Sequence, residues 1–273
     1  MYGSGQTDGV CITNMDILSP AFSRPGVAIL PTSTSYGADA CLVTGGITEV
    51  SQLKGKITRG LALSVSEYCF VRNLEIAGVK PSDYIFKNMD PGAAALAMQQ
   101  KQDGFESIVV WNPFVLDTLN KRKDARVLFD STSIPNEIID MVVVAQSSLD
   151  KPGGKEFACA VIDAFYQLNQ RLAAPATRDD TLIAIGEKFS DLGLQSMRKV
   201  VQQTKFYGTA DDALTLFKGN DLKETMEKVG NFCLKYEVVE SAPTITYGDK
   251  ASAGNSTLRF DPSFIEACKS KSK

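Results

Sequence analysis

The sequence predicts an α/β fold with a parallel sheet covered by helices. Two observations carry this. A short apolar run repeatedly ends in a helix-capping residue with a helix-patterned stretch straight after it, and strands alternating with helices imply a parallel sheet with helices on its faces. From Gly154 onward the pattern changes to long amphipathic stretches at 156–172, 179–189, 194–203, 210–216 and 222–234, so this half reads as helical.

Taken in order, residues 9–12 lead into Thr13-Asn14-Met15-Asp16, which has capping-box spacing. Leu61-Ala62-Leu63 reads as a strand turning into Ser64-Val65-Ser66-Glu67, a second box. Residues 84–88 lead through Met89 into Asp90-Pro91, a cap with proline at the first helical position. Residues 107–111 lead into Asn112-Pro113, which reads as the same device. Residues 40–43 and 141–145 add two further strands, 173–177 reads as a linker, and 241–257, rich in Gly, Ser, Thr and Asn, reads as loop. In parallel sheets ligands gather beyond the carboxyl ends of the strands, where these caps fall.

The bulk composition narrows the function. With 273 residues, 44% hydrophobic and 22% charged, the chain is long enough for one large domain or two smaller ones. A net charge of −3 gives no electrostatic case for a nucleic-acid or anionic-membrane partner. No apolar run approaches the ~20 residues of a membrane helix, and MYGSGQTDG at the start lacks the segments of a signal peptide. The six cysteines form no C-x-x-C pair, which weakens both metal-site and disulfide-framework readings. The chain has no histidine. That removes the Ser-His-Asp triad, the Cys-His pair and every His-bearing zinc site, so no catalytic residue, metal or cofactor is expected.

The order of pieces resembles the periplasmic substrate-binding proteins of ABC importers, in the nitrate/taurine/alkanesulfonate branch. The residues that carry the resemblance are Gln52-Leu53-Lys54-Gly55-Lys56-Ile57, Leu63-Ser64-Val65-Ser66-Glu67-Tyr68, Ala77-Gly78-Val79-Lys80-Pro81-Ser82-Asp83 and Ala93-Ala94-Ala95-Leu96. Residues 102–113, 125–131, 248–250 and 258–264 continue it in order. Within the branch, Thr13-Asn14-Met15-Asp16, the Ser-Val-Ser-x-Tyr turn and Trp111-Asn112-Pro113 look most like binding proteins encoded beside urea- and guanidine-degrading enzymes. The resemblance implies a two-lobe periplasmic binding protein fold of type II. Lobe one would be 1–43 and 141–273, lobe two 44–140, and hinge strands would cross near 38–43 and 139–144. Relatives have a strand and helix ahead of Gly5-Gln6-Thr7-Asp8-Gly9-Val10, so an N-terminally truncated form is expected.

The resemblance also implies a monomer at the periplasmic or extracytoplasmic face, with a small-molecule ligand in an inter-lobe cleft and ABC permease subunits as partners. Asn14, Asp16, Tyr36, Ser64, Ser66, Glu67, Tyr68, Asp90, Trp111 and Asn112 would line the cleft. Several have a plainer reading. Ser64 and Asp90 serve as caps, Glu67 and Asp16 complete capping boxes, Trp111 packs a wall, and Tyr36 with Asp39 lies in a solvated loop. Free helix N-termini attract anions, but Glu67 and Asp16 sit in these turns and no Arg or Lys does. That favours a neutral or cationic solute such as urea or guanidinium over nitrate, taurine or an alkanesulfonate. The enzymes of this fold related to thiamine-pyrimidine synthesis consume an active-site histidine, which this chain lacks. The leading expectation is therefore a non-catalytic binding protein that closes on its ligand.

Overall fold

The structure is a computed structural model that describes residues 1–189 and 192–269. The chain begins with β1 (Gly9–Thr13), α1 (Leu18–Ser23), β2 (Gly26–Ser35) and β3 (Asp39–Val43). It continues through β4 (Ile57–Gly60), α2 (Val65–Ile76), β5 (Ile85–Asn88), α3 (Pro91–Gln99), β6 (Ser107–Trp111), α4 (Phe114–Lys121) and β7 (Arg126–Asp130). Next come β8 (Ile139–Ala145), α5 (Gln146–Leu149), α6 (Gly154–Ala173), α7 (Pro175–Lys188) and α8 (Leu194–Gln202). The last stretch holds β9 (Thr204–Phe206), α9 (Ala210–Lys218), α10 (Asn220–Lys235), β10 (Ile245–Tyr247), α11 (Lys250–Ala253), β11 (Leu258–Phe260) and α12 (Ser263–Lys269).

The described residues form two compact units. The first comprises 1–34, 136–194 and 206–273, and the second 35–135 and 195–205. The expected division at 43/44 and 140/141 is corrected. Strand β3 is hydrogen-bonded between β6 and β7, which makes it central to the second sheet. The chain passes between units at 34/35, 135/136, 194/195 and 205/206, so the stretches expected as hinges, 38–43 and 139–144, each lie inside one unit.

In the first unit the sheet runs β1-β8-β2-β11-β10. Strand β8 pairs antiparallel with β1 and β2, while β2 and β11 pair parallel. Strand β2 was not foreseen. It carries Pro31, which offers no N–H to a neighbour, and its register slips beside β8 between Ala28 and Leu30 and again between Pro31 and Ser33. The final stretch expected as loop contains β10 and α11, and the expected linker 173–177 holds the start of α7, with Pro175 as its first helical residue. A buried ion pair secures β11: Arg259 Nη1 meets Asp261 Oδ2 at 2.7 Å with both side chains under 5% exposed. A disulfide joins Cys159 on α6 to Cys268 on α12, a link that residue spacing alone did not show.

In the second unit the sheet runs β5-β4-β6-β3-β7. Strands β5, β4 and β6 are parallel, and β3 runs against β6 and β7. Ala40, Leu42, Ile108 and Val110 from the sheet pack with Ala94, Ala95, Met98 and Val115 from α3 and α4. Burying eight such side chains is the main term that holds this layer to the sheet. The residues 61–63 do not extend a strand. Strand β4 stops at Gly60, where a Cβ would lie 2.7 Å from the Val109 carbonyl, and the next three residues form the turn into α2.

Candidate functional site

The parallel pairing of β4, β5 and β6 brings their carboxyl ends, Gly60, Asn88 and Trp111, to one edge of the second unit's sheet. Asp39 pairs opposite Trp111 and Ala40 opposite Asp130, which places the 36–39 loop and the end of β7 on the same edge. Helices α2, α3 and α4 all start there. Their first-turn N–H groups and positive dipole ends therefore face one rim.

The α2 corner is a shifted capping box. Ser64 Oγ accepts the Ser66 N–H at 3.2 Å and donates to the Leu61 carbonyl at 2.8 Å. The Glu67 carboxylate accepts the N–H of Leu63 at 2.7 Å, one residue earlier than a standard box would place it. The cause is Leu63, whose left-handed backbone (φ 57°) turns its N–H toward the helix start. Its side chain is 53% exposed. Ser66, one position into the helix, is fully buried and its hydroxyl has no hydrogen-bond partner among the described residues. Tyr68 is buried and engaged within the fold.

The α3 corner is as the sequence predicts: Asp90 accepts the Ala93 N–H at 2.9 Å. Asn88 Oδ1 accepts the Ala62 N–H at 3.0 Å, linking this corner to the α2 turn. The α4 corner differs. Asn112 is not a cap. Pro113 takes that position after a cis Asn112–Pro113 peptide. The Asn112 amide instead donates from Nδ2 to Gln203 Oε1 at 2.8 Å, while Oδ1, on a residue 6% exposed, has no partner among the described residues. Trp111 is half-buried, and Phe114 packs edge-on against its ring at 6.2 Å.

The 36–39 loop is fixed by hydrogen bonds that sequence reasoning missed. Tyr36 N–H donates to the Gln203 carbonyl at 2.9 Å, and Gly37 N–H to Ser131 Oγ at 2.7 Å. Ser131 and Ser35 hydroxyls lie 2.7 Å apart, and Ser35 Oγ accepts the Asp39 N–H at 3.2 Å. The Tyr36 side chain is left 49% exposed. Ser35, Ser131 and Gln203 carry no motif, and only their contacts single them out.

Asn14 and Asp16 lie in the first unit. Asn14 is fully buried, accepting the Ile139 N–H at 3.0 Å and donating to the Glu137 carbonyl at 3.1 Å, so its amide staples β1 to the start of β8. Thr13 Oγ1 accepts the Asp16 N–H at 3.0 Å, but no helix starts on this box, since α1 begins only at Leu18. Near Asp16, burial holds the Asp140 carboxyl above the usual carboxylate range, and Asp16 adds to that.

Burial disarms the free thiols. Burial pushes the Cys41 and Cys233 thiols up to about 12 and that of Cys69 well above its ordinary value, whereas a reactive cysteine needs the opposite shift. Among the described residues no group of three or more Cys, Asp and Glu is placed to hold a metal ion, and no helix is long and apolar enough to cross a membrane.

No family model matches the sequence, and no curated protein matches it. Solved structures do. The periplasmic aliphatic sulphonate binding protein SsuA from Escherichia coli is similar at 19% identity, covering 88% of this chain and 74% of its own, with a TM-score of 0.68. The alkanesulfonate-binding SsuA from Xanthomonas axonopodis pv. citri, bound to MOPS, is similar at 14% identity, covering 88% and 79%, with a TM-score of 0.70. The chain has the periplasmic binding protein fold. The same fold also supports catalysis: the desulfurization enzyme DszB is similar at 12% identity, covering 100% of this chain and 88% of its own, with a TM-score of 0.66.

Proposed function

We propose that the chain is the substrate-binding component of an ABC importer, located outside the cytoplasm, that captures a small polar nitrogen compound at the strand-end rim of its second unit. One observation carries the reading: Ser66 Oγ and Asn112 Oδ1 are buried there without partners. Buried polar groups are almost always hydrogen-bonded, and two orphans on one rim where three helices begin are accounted for by a solute that completes them. Ser64, Glu67, Tyr68, Asp90, Trp111 and Tyr36, all in the second unit, would contact the solute with them; Asn14, whose amide is engaged, and Asp16 lie in the first unit and are left out of the contacting set.

The solute's charge follows from the same rim. Glu67 and Asp90 occupy the α2 and α3 helix starts, which offsets the pull on anions and favours urea- or guanidinium-like ligands. A second reading, an alkanesulfonate, is favoured by the named ligand class of the structural neighbours. An extracytoplasmic location is supported by the Cys159–Cys268 disulfide, a bond rare in reducing compartments. The lack of a lowered-pKa thiol and of histidine supports binding without turnover. Calorimetric titration with guanidinium, urea, nitrate, taurine and an alkanesulfonate tests the reading. Saturable guanidinium or urea binding without chemical change supports it; selective sulfonate binding replaces the ligand assignment, and turnover of any of them overturns the binding-protein assignment.

A further inference from the structure

The Asn112 amide can do opposite things at its two ends, since Nδ2 donates and Oδ1 accepts. Which end is left without a partner decides the kind of solute that satisfies it. Resting on the solute-binding reading above, we infer that Gln203 fixes this orientation, acting as a positioning residue that makes the site select solutes able to donate hydrogen bonds.

Gln203 is held beside Asn112 by its backbone. Its own N–H donates to the Lys199 and Val200 carbonyls at the end of α8, and its carbonyl accepts the Tyr36 N–H. The root of its side chain is thus tied on both sides, to α8 and to the rim loop. From there Oε1 accepts Asn112 Nδ2 at 2.8 Å across 91 residues of sequence. With the donor end of Asn112 occupied, the acceptor end is the buried atom without a partner. An N–H donor from urea or guanidinium completes it. Nitrate and ethanesulfonate offer only acceptors, which meet Oδ1 with like partial charge. The reverse arrangement, with both amides turned, would present Nδ2–H to the rim and favour those anions.

The two arrangements are separated by changing what residue 203 is able to offer. Gln203→Glu accepts only and so locks the observed orientation; Gln203→Lys donates only and so turns the Asn112 amide. Gln202→Lys, at the exposed neighbouring position, adds the same charge without replacing the Asn112 partner. Each full chain is titrated with guanidinium, urea, nitrate and ethanesulfonate. Gln203→Glu is expected to bind guanidinium about threefold or more tighter, and Gln203→Lys to lose about tenfold in urea and guanidinium affinity, the size of one hydrogen bond, while gaining for ethanesulfonate or nitrate. Gln202→Lys is expected to shift no probe by more than about twofold.

Equal effects of the two Gln203 variants on donor and acceptor probes overturn the inference, as does a wild-type chain that binds only the anions; both leave the solute-binding reading standing. Failure of the wild-type chain to bind any probe removes that reading and the inference with it. Nuclear magnetic resonance on the wild-type chain gives a test that needs no variant to fold. Added guanidinium should move the Asn112 side-chain carbonyl carbon and leave its Nδ2 resonances in place; the opposite pattern overturns the inference.

Discussion

Ser64 and Ser66 stand two residues apart on the first turn of α2, and Ser64 Oγ accepts the Ser66 N–H at 3.2 Å. The cap therefore consumes the backbone of Ser66 and leaves its hydroxyl buried and unpaired. An unpaired buried hydroxyl costs about 1–3 kcal/mol, whereas its hydrogen bond to a ligand returns roughly 0.5–1.5 kcal/mol. Ser66→Ala should accordingly leave the ligand-free chain as stable as wild type or up to about 1 kcal/mol more stable, and weaken ligand binding by about tenfold. Urea denaturation and calorimetry measure the two effects. Loss of stability with unchanged binding would show that Ser66 Oγ serves the fold alone.

Leu63 offers a separate test of the same corner. A leucine at φ 57° is in the left-handed region that glycine adopts freely, and its side chain is mostly in water. Leu63→Gly should stabilise the chain by about 0.5–1 kcal/mol if the backbone term dominates. A drop in stability would mean that the exposed side chain covers more apolar surface than it loses.

The strand-to-helix units were legible because each combines an apolar run with a cap. Strand β6 and the Asp90 cap match the sequence reading. Asp90-Pro91 and Asn112-Pro113 read alike as dipeptides, yet only the first is a cap. What separates them is Gln203, a long-range partner with no local signature. Strand β2 was hidden by Pro31 and by the run Thr32-Ser33-Thr34-Ser35, which breaks the apolar signal although all but Thr32 are buried. Leu61-Ala62-Leu63 misled in the other direction: it is apolar enough to read as strand, but the strand had already ended at Gly60.

Arg259 and Asp261 form a buried pair with further hydrogen bonds on both side chains. Arg259 Nη2 donates to Gln146 Oε1 at 2.6 Å, and Asp261 Oδ1 accepts the Ser263 N–H and hydroxyl at 3.0 and 2.6 Å. Removing one partner leaves an uncompensated buried charge. Asp261→Ala is expected to cost about 3–5 kcal/mol, clearly more than Lys54→Ala in the exposed, solvent-screened pair with Asp83. Chemical denaturation of the two variants side by side checks the ranking.

The Cys159–Cys268 bond closes a loop across 109 residues of sequence. By the chain-entropy account a loop of this size contributes about 4.7 kcal/mol through the unfolded state. Replacing both cysteines by serine, or reducing the native chain, should therefore lower the unfolding free energy by a similar amount and the melting temperature with it. Insensitivity of the melting curve to reductant would show that the two thiols are not joined in solution.

Asp140 gives the first unit a defined pH response. It pairs with Thr13 on β1 and with Ser33 on β2, and Ser33 Oγ donates to its Oδ2 at 3.0 Å. Burial raises its pKa above the ordinary carboxylate value and Asp16 raises it further, while the Ser33 hydroxyl opposes both. The nearby Cys11 thiol is in turn raised by burial and by Asp140. A carboxyl with a raised pKa in the folded chain binds more protons there than in the unfolded chain, between the ordinary value of about 4 and its raised value. Stability must then fall as pH rises through that window, with the full cost present above it. Asp140→Asn removes the charge and keeps an acceptor for Ser33. It should be more stable than wild type near pH 7, with the gap closing as pH falls toward about 4. Urea denaturation of both chains across this range decides: a gap independent of pH, or one that opens on acidification, would mean that the Asp140 charge is compensated in the fold.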